Sequence, residues 1–164
     1  QGIDSIARVV NLEVINAGTG NDIVDLTSSN FVLANAVEIN GEAGNDILWG
    51  SKGDDTVNGG EGNDTIFGGS GNDTLTGGIG SDIFQFTATA ANDIITDFGV
   101  GGDAIQLYYR AEDNHTNTDL NLANGILTWD VDSTSNDIVI DLSASINSSD
   151  LADLDALISF VEIV

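Results

Sequence analysis

Five aspartates stand nine residues apart, at Asp46, Asp55, Asp64, Asp73 and Asp82, and each follows a glycine-rich stretch. Like charges at a fixed spacing repel, so such a series calls for a cation. The donors on offer are oxygens: carboxylates and the carbonyls of glycine turns, in a chain with one histidine and no cysteine. All-oxygen ligands suit a hard cation, and a flexible turn suits calcium better than magnesium, which demands a stiffer octahedron. The overall charge agrees. With 27 acidic residues against 3 basic ones the formal charge is −24, which excludes nucleic acid or an anionic membrane as a direct partner. The absence of Cys rules out disulfides, thiol chemistry and zinc-thiolate sites, and leaves the redox compartment unreadable.

The elements that must carry these aspartates follow from the repeat, because a fixed period is sought before any strand or helix. Five units run without a gap: GEAGNDILW from Gly41, GSKGDDTVN from Gly50, GGEGNDTIF from Gly59, GGSGNDTLT from Gly68 and GGIGSDIFQ from Gly77. AGTGNDIVD lies upstream from Ala17, and a degenerate ATAANDIIT follows from Ala88 after two extra residues. Asp22 and Asp93 keep the sixth place. The eighth place holds Val24, Leu48, Val57, Ile66, Leu75, Phe84 and Ile95, so one face of every unit is buried. Three residues such as Thr65-Ile66-Phe67 suit a very short strand, and the glycine half turns the chain. A strand that short buries nothing alone, but stacked coils of two units each put every eighth-place side chain into one interior. Asp46, Asp64 and Asp82 then fall in one column, and Asp55 and Asp73 in the other. Neighbouring strands lie about 4.8 Å apart, and two carboxylates at that separation repel by roughly 3 to 4 kcal/mol at an effective dielectric near 20. A metal-free stack is disfavoured, and calcium is the missing positive charge.

Residues 59–85 match closely, and 41–58 more loosely, the nonapeptide Gly-Gly-x-Gly-x-Asp-x-apolar-x, and here the sequence resembles the "repeats in toxin" (RTX) family. The resemblance implies an all-β fold, a right-handed parallel β-roll with calcium between turns one coil apart. It also implies a ligand pattern: the earlier turn gives its second and fourth carbonyls and its Asp, the later turn its first and third carbonyls and its Asp. Carried over, one site uses Glu42, Gly44, Asp46, Gly59, Glu61 and Asp64, and the next in that column Gly60, Gly62, Asp64, Gly77, Ile79 and Asp82. The opposite column uses Ser51, Gly53, Asp55, Gly68, Ser70 and Asp73, then Gly69, Gly71, Asp73, Ala88, Ala90 and Asp93. If residues 26–35 replace a regular turn with a longer excursion, Gly18, Gly20, Asp22, Gly41, Ala43 and Asp46 form a further site. EVIN at 13–16 and VEIN at 37–40, each preceding its turn, support that equivalence. Residues 93–107 resemble the segment that closes such rolls, where Asp97 and Asp103 either take one more ion or serve as acidic turn residues. About four to six calcium ions are expected in all.

The roll is thus expected to start irregularly over 1–40, to run regularly over 41–106 and to end in a cap over 107–164. GILTWDVD and NDIVIDL alternate apolar and polar residues around STSN, which predicts a β-hairpin over 125–142. Asp130 and Asp132 lack the glycine and closing glutamate of an EF-hand loop. His115 stands in a polar stretch, 108–119, read as a surface loop. Leu151, Leu154, Leu157 and Ile158 have helical spacing after a cap signal, predicting a short helix. No catalytic triad, buried carboxylate pair or zinc helix motif can be assembled, so no enzyme is expected.

The chain starts at Gln1 rather than Met, and is read as a piece of a longer protein. The resemblance implies the C-terminal structural and export module of a large secreted bacterial protein, foremost an adhesin, recognised by a type I secretion machinery through a C-terminal signal, one version of which the ending EIV is similar to. As a fragment it is expected to be a monomer. Two other classes stand beside this one. Similar modules accompany secreted proteases, lipases and polysaccharide epimerases, and an exposed aromatic cleft around Trp49, Phe67 or Tyr108 would favour carbohydrate binding. Ice binding would need rows of Thr and Asn, but the third place holds Ala43, Lys52, Glu61, Ser70 and Ile79.

Overall fold

The computed structural model describes residues 12–27, 33, 35–87, 91–99, 102–110, 120–123, 126–129, 138–143 and 158–163. Strands alternate between two sheets because each nine-residue unit contributes one strand and one turn. The units give β1 (Val14–Thr19), β2 (Ile23–Asp25), β3 (Glu38–Ala43), β4 (Ile47–Trp49), β5 (Thr56–Glu61), β6 (Thr65–Phe67), β7 (Thr74–Ile79), β8 (Ile83–Thr87) and β9 (Ala91–Ile95). Beyond them lie β10 (Ala104–Arg110), β11 (Leu120–Ala123), β12 (Ile126–Trp129), β13 (Ile138–Asp141) and β14 (Ile158–Ile163). One sheet runs β1-β3-β5-β7-β9-β13-β12-β11 and the other β14-β10-β8-β6-β4-β2. This is an all-β parallel roll with two units per coil.

The register follows the repeat. Val57 pairs with Leu75 and Leu48 with Ile66, a step of 18 residues. Ile15 pairs with Ile39, 24 residues on, so the segment 26–35 lengthens one coil without breaking the stack. Leu75 pairs with Ile95, 20 residues on, which absorbs the two extra residues before the degenerate unit. Strands of the first sheet are longer than the three residues expected. Glu38–Ala43, Thr56–Glu61 and Thr74–Ile79 each continue into the next glycine turn, because the turns also pair, as Gly60 does with Gly78.

The core is the eighth-place row. Leu48, Val57, Ile66, Leu75, Phe84 and Ile95 are fully buried, while Val24 in the first coil packs partly exposed against them. Each such side chain removed from water contributes about 1.5–3 kcal/mol. Phe86, Phe98, Ile105 and Leu107 continue the same interior, with the rings of Phe84 and Phe98 6.2 Å apart. The hairpin is present as β12 and β13, antiparallel with Ile126 opposite Asp141, and β11 adds a further antiparallel strand. β13 lies parallel to β9, so the cap extends the first sheet. Leu127, Ile140 and Leu142 bring its inner face into the core. The expectation of a helix through Ile158 is corrected: Ile158 opens β14, which pairs in parallel with β10. An extended partner strand offers ladder bonds that override helical spacing. Leu151, Leu154, Leu157, Asp130, Asp132 and His115 lie outside the described residues.

Candidate metal centre

Each turn is held in place by a pair of opposed side chains. The aspartate reaches back along the stack: the Asp22 N–H donates to Asp46 Oδ1 (2.8 Å), Asp46 to Asp64 (2.8 Å), Asp64 to Asp82 (2.8 Å) and Asp82 to Asp103 (3.0 Å). In the second column Asp55 N–H donates to Asp73 Oδ1 (2.8 Å) and Asp73 N–H to Asp93 Oδ1 (2.9 Å). The asparagine before it reaches forward. The Asn45 N–H donates to Asn21 Oδ1, Asn63 to Asn45, Ser81 to Asn63, Asn72 to Asp54 Oδ1 and Asn92 to Asn72. The two columns expected from the spacing are therefore the two columns observed.

The glycines bring carbonyls to the same places. A Cβ on Gly60 would overlap the carbonyl oxygen of Glu42, and one on Gly62 that of Gly44, so both carbonyls face the later turn. A Cβ on Gly41 would meet Asp46 Oδ2 and the carbonyl of Gly59, which points back from the later turn. One coil further, Gly60 and Gly62 face Gly78 and Gly80 in the same way, and the Gly77 carbonyl and Asp64 Oδ2 converge at Gly59. The third-place carbonyls of Ala43, Glu61 and Ile79 accept from the N–H groups of Gly20, Gly44 and Gly62 (2.7–2.8 Å) and keep a second lone pair. In the other column the carbonyls of Ser51, Gly53 and Gly68 take the corresponding places against Gly69, Gly71 and Gly50. Ser70 lies in the same turn and its N–H donates to the Ser51 carbonyl (3.1 Å). Positive φ recurs in the second and fourth places, as at Gly18 (103°), Gly20 (121°), Gly60 (110°) and Gly62 (131°), and Glu42 adopts it at 74°, while the turn at Ser51 and Gly53 departs from it.

The decisive feature is what the carboxylates lack. Asp46, Asp55, Asp64, Asp73, Asp82, Asp93 and Asp103 are all buried. The Oδ2 atoms of Asp22, Asp46, Asp64, Asp73 and Asp82 are shielded from solvent and have no hydrogen-bond partner. A buried, unpartnered carboxylate oxygen is strongly unfavourable unless a cation faces it. Burial raises the carboxyls of Asp55, Asp64, Asp82 and Asp103 above their ordinary range, Asp93 to about 6 and Asp73 to about 7, and the neighbouring charges of Asp93, Asp55 and Asp54 add to the effect at Asp73. Among the described residues no three His, Cys, Asp or Glu side chains gather. Two carboxylates and converging carbonyls would complete each site, an all-oxygen set that fits calcium.

The pattern of the RTX calcium-binding nonapeptide repeat matches in four copies, over residues 13–30, 38–66 and 51–84. Residues 13–84 form an RTX calcium-binding β-roll. A search among curated proteins finds no match for the chain.

The RTX turns are not all alike. Asp55 Oδ2 accepts from the Ser51 N–H (2.6 Å), so the turn that opens the second column satisfies its own carboxylate. Asp103 continues the first column, with Oδ2 held by the Gly99 N–H (2.8 Å). Asp97 accepts from the N–H groups of Gly77 (2.9 Å) and Gly78 (2.7 Å), and so closes the last turn of the roll through hydrogen bonds. Ala88 and Ala90 lie outside the described residues, so only Gly69, Gly71, Asp73 and Asp93 of that ligand set are placed. The asparagine ladder is not foreseen from the sequence, although its signal is there: Asn21, Asn45, Asn63, Asn72 and Asn92 fill the fifth place in five of the seven units, with Asp54 and Ser81 in the other two.

Proposed function

We propose that this roll is the calcium-dependent folding and export module of a large secreted bacterial protein, foremost an adhesin, and that it is not itself an enzyme. The observation that carries the reading is the row of orphaned Oδ2 atoms on Asp22, Asp46, Asp64, Asp73 and Asp82. Without a cation those oxygens oppose the stack that the apolar row favours, so calcium decides whether the coils close. RTX repeat proteins are typically secreted, which supports a chain kept open where calcium is scarce and closed outside, after passage through a type I secretion machinery. In an adhesin the loaded roll would serve as a stiff spacer.

The test is circular dichroism and calorimetry on the chain with and without chelator. The expected outcome at about pH 7.5, where the carboxyls of the open chain are ionised, is no β-type spectrum in excess chelator and a cooperative gain with millimolar calcium, with about four to six ions bound. An ordered sheet in chelator at that pH, or a spectrum indifferent to calcium, overturns the reading.

A further inference from the structure

The outer face of the six-stranded sheet carries a feature that calcium binding does not use. Strand alternation sends Leu48, Ile66, Phe84, Phe86, Ile105 and Leu107 inward, so Trp49, Phe67, Gln85, Thr87, Gln106 and Tyr108 face outward. Trp49 pairs in register with Phe67, Gln85 with Gln106 and Thr87 with Tyr108. Thr27, Trp49, Phe67, Gln85, Thr87 and Tyr108 line an open groove of about 430 Å³.

Three properties of the groove point to one class of ligand. Trp49 and Phe67 sit in register on adjacent strands, about 4.8 Å apart, so both rings stand side by side on the same outward face. Beside the rings lies an ordered polar edge: Gln85 Nε2 donates to Tyr108 Oη (3.0 Å) and Gln106 Oε1 (3.1 Å), and Tyr108 Oη donates to Gln106 Oε1 (3.2 Å). The indole Nε1–H of Trp49 is shielded from solvent, so its resonance reports on the setting of the ring rather than on a direct bond to a ligand. Finally, none of the described residues that line the groove is charged, although the chain carries a formal charge of −24. An anionic ligand would be repelled by that field, and a cationic one would find at the rim only Asp25, in register with Trp49 and already accepting from the Thr27 N–H and hydroxyl. A ligand with apolar C–H faces, many hydroxyls and no charge is what remains.

We propose that this groove binds a neutral oligosaccharide, with Trp49 and Phe67 as the stacking platform and Gln85 and Tyr108 as the hydrogen-bonding groups. The site rests on the folded roll but not on any particular ion count. The calcium-loaded chain would be titrated by calorimetry with maltohexaose, cellohexaose, laminarihexaose and a mannose hexamer, while the indole N–H resonance of Trp49 is followed by NMR. The expected result is saturable binding of at least one of them with a millimolar dissociation constant and a shift of that resonance. Trp49→Ala and Phe67→Ala should each weaken it by about tenfold or more, while Asn58→Ala on the opposite sheet leaves it unchanged. Each variant is checked for calcium-induced circular dichroism, so that failure of the calcium reading would be seen separately. Should Trp49→Ala not fold, Gln85→Ala and Tyr108→Phe carry the same test, each expected to weaken binding. No binding by any of the four sugars, equal binding by the folded groove variants, or salt-sensitive binding of tetramethylammonium instead of sugar would overturn the proposal.

Discussion

Asp64 and Asp55 hold the same place in the nonapeptide but not the same surroundings. Asp64 lies mid-column, with Oδ1 taken by the Asp46 N–H and Oδ2 unpartnered beside the carbonyl of Gly77. Asp55 opens its column, and its Oδ2 is already held by Ser51. Asp64→Ala is therefore expected to raise the calcium midpoint for folding more than Asp55→Ala, and to lower the bound stoichiometry by up to two ions rather than one. Titration calorimetry with a folding readout decides it, and equal effects would mean that each aspartate serves a single ion. The buried carboxyls also set a pH dependence. Asp73 and Asp93, raised to about 7 and about 6, bind protons in the metal-free fold that the open chain has already released. Their contribution to the metal-free fold is full below the ordinary carboxylate range and is lost as the pH rises through 6 and 7. The metal-free chain should accordingly show more β structure at about pH 5 than at about pH 7.5. The calcium midpoint should fall over the same interval as protons cease to compete. A midpoint independent of pH, or one that rises, would refute this.

At the scale of the turn and strand, glycine is needed where carbonyls of the previous coil press in. Gly20 (φ +121°) has open space around a built Cβ, whereas one on Gly60 (φ +110°) would run into the backbone of Glu42. Gly20→Ala should cost only the left-handed conformation, about 1–2 kcal/mol. Gly60→Ala must also push neighbouring coils away from each other and should exceed about 4 kcal/mol, measured by denaturant unfolding in saturating calcium. Similar costs for both would show that the coils are not in close contact there. Much of this level is legible in the sequence, because a nine-residue period with an apolar eighth place, coiled two units to a turn, sets how the coils stack. The columns of Asp46, Asp64 and Asp82 and of Asp55 and Asp73 follow from counting. What counting does not reveal is hydrogen-bond direction, so the forward reach of Asn45 and Asn63 was invisible beside the backward reach of Asp46 and Asp64. Asp97 lies outside the period, and its bonds to Gly77 and Gly78 depend on how the chain folds back after β9. Ser51 differs from its repeat-mates in a backbone angle, which residue type alone does not give. Ile158 shows the converse: the last residue of a local helical pattern joins the open edge of β10 instead.

For the molecule as a whole, the ions would be linked through one stack. A ligand at 100 times its dissociation constant adds about 2.7 kcal/mol per site, so four sites would supply roughly 11 kcal/mol, the scale of a whole domain's stability. Because each coil contacts only its neighbours, the stack behaves as a one-dimensional array in which loss of one ion weakens the coils on both sides. The 18-residue step between Asp46 and Asp64 has a mechanical meaning as well. Folded, one coil occupies about 4.8 Å of the stack; pulled straight, its 18 residues span roughly 60 Å. Under tension along its axis, the roll holds its length as a short, stiff rod until a coil lets go. It then releases a fixed increment of slack more than ten times the length it had stored, so that the ions set the force at which a tether made of such coils begins to lengthen.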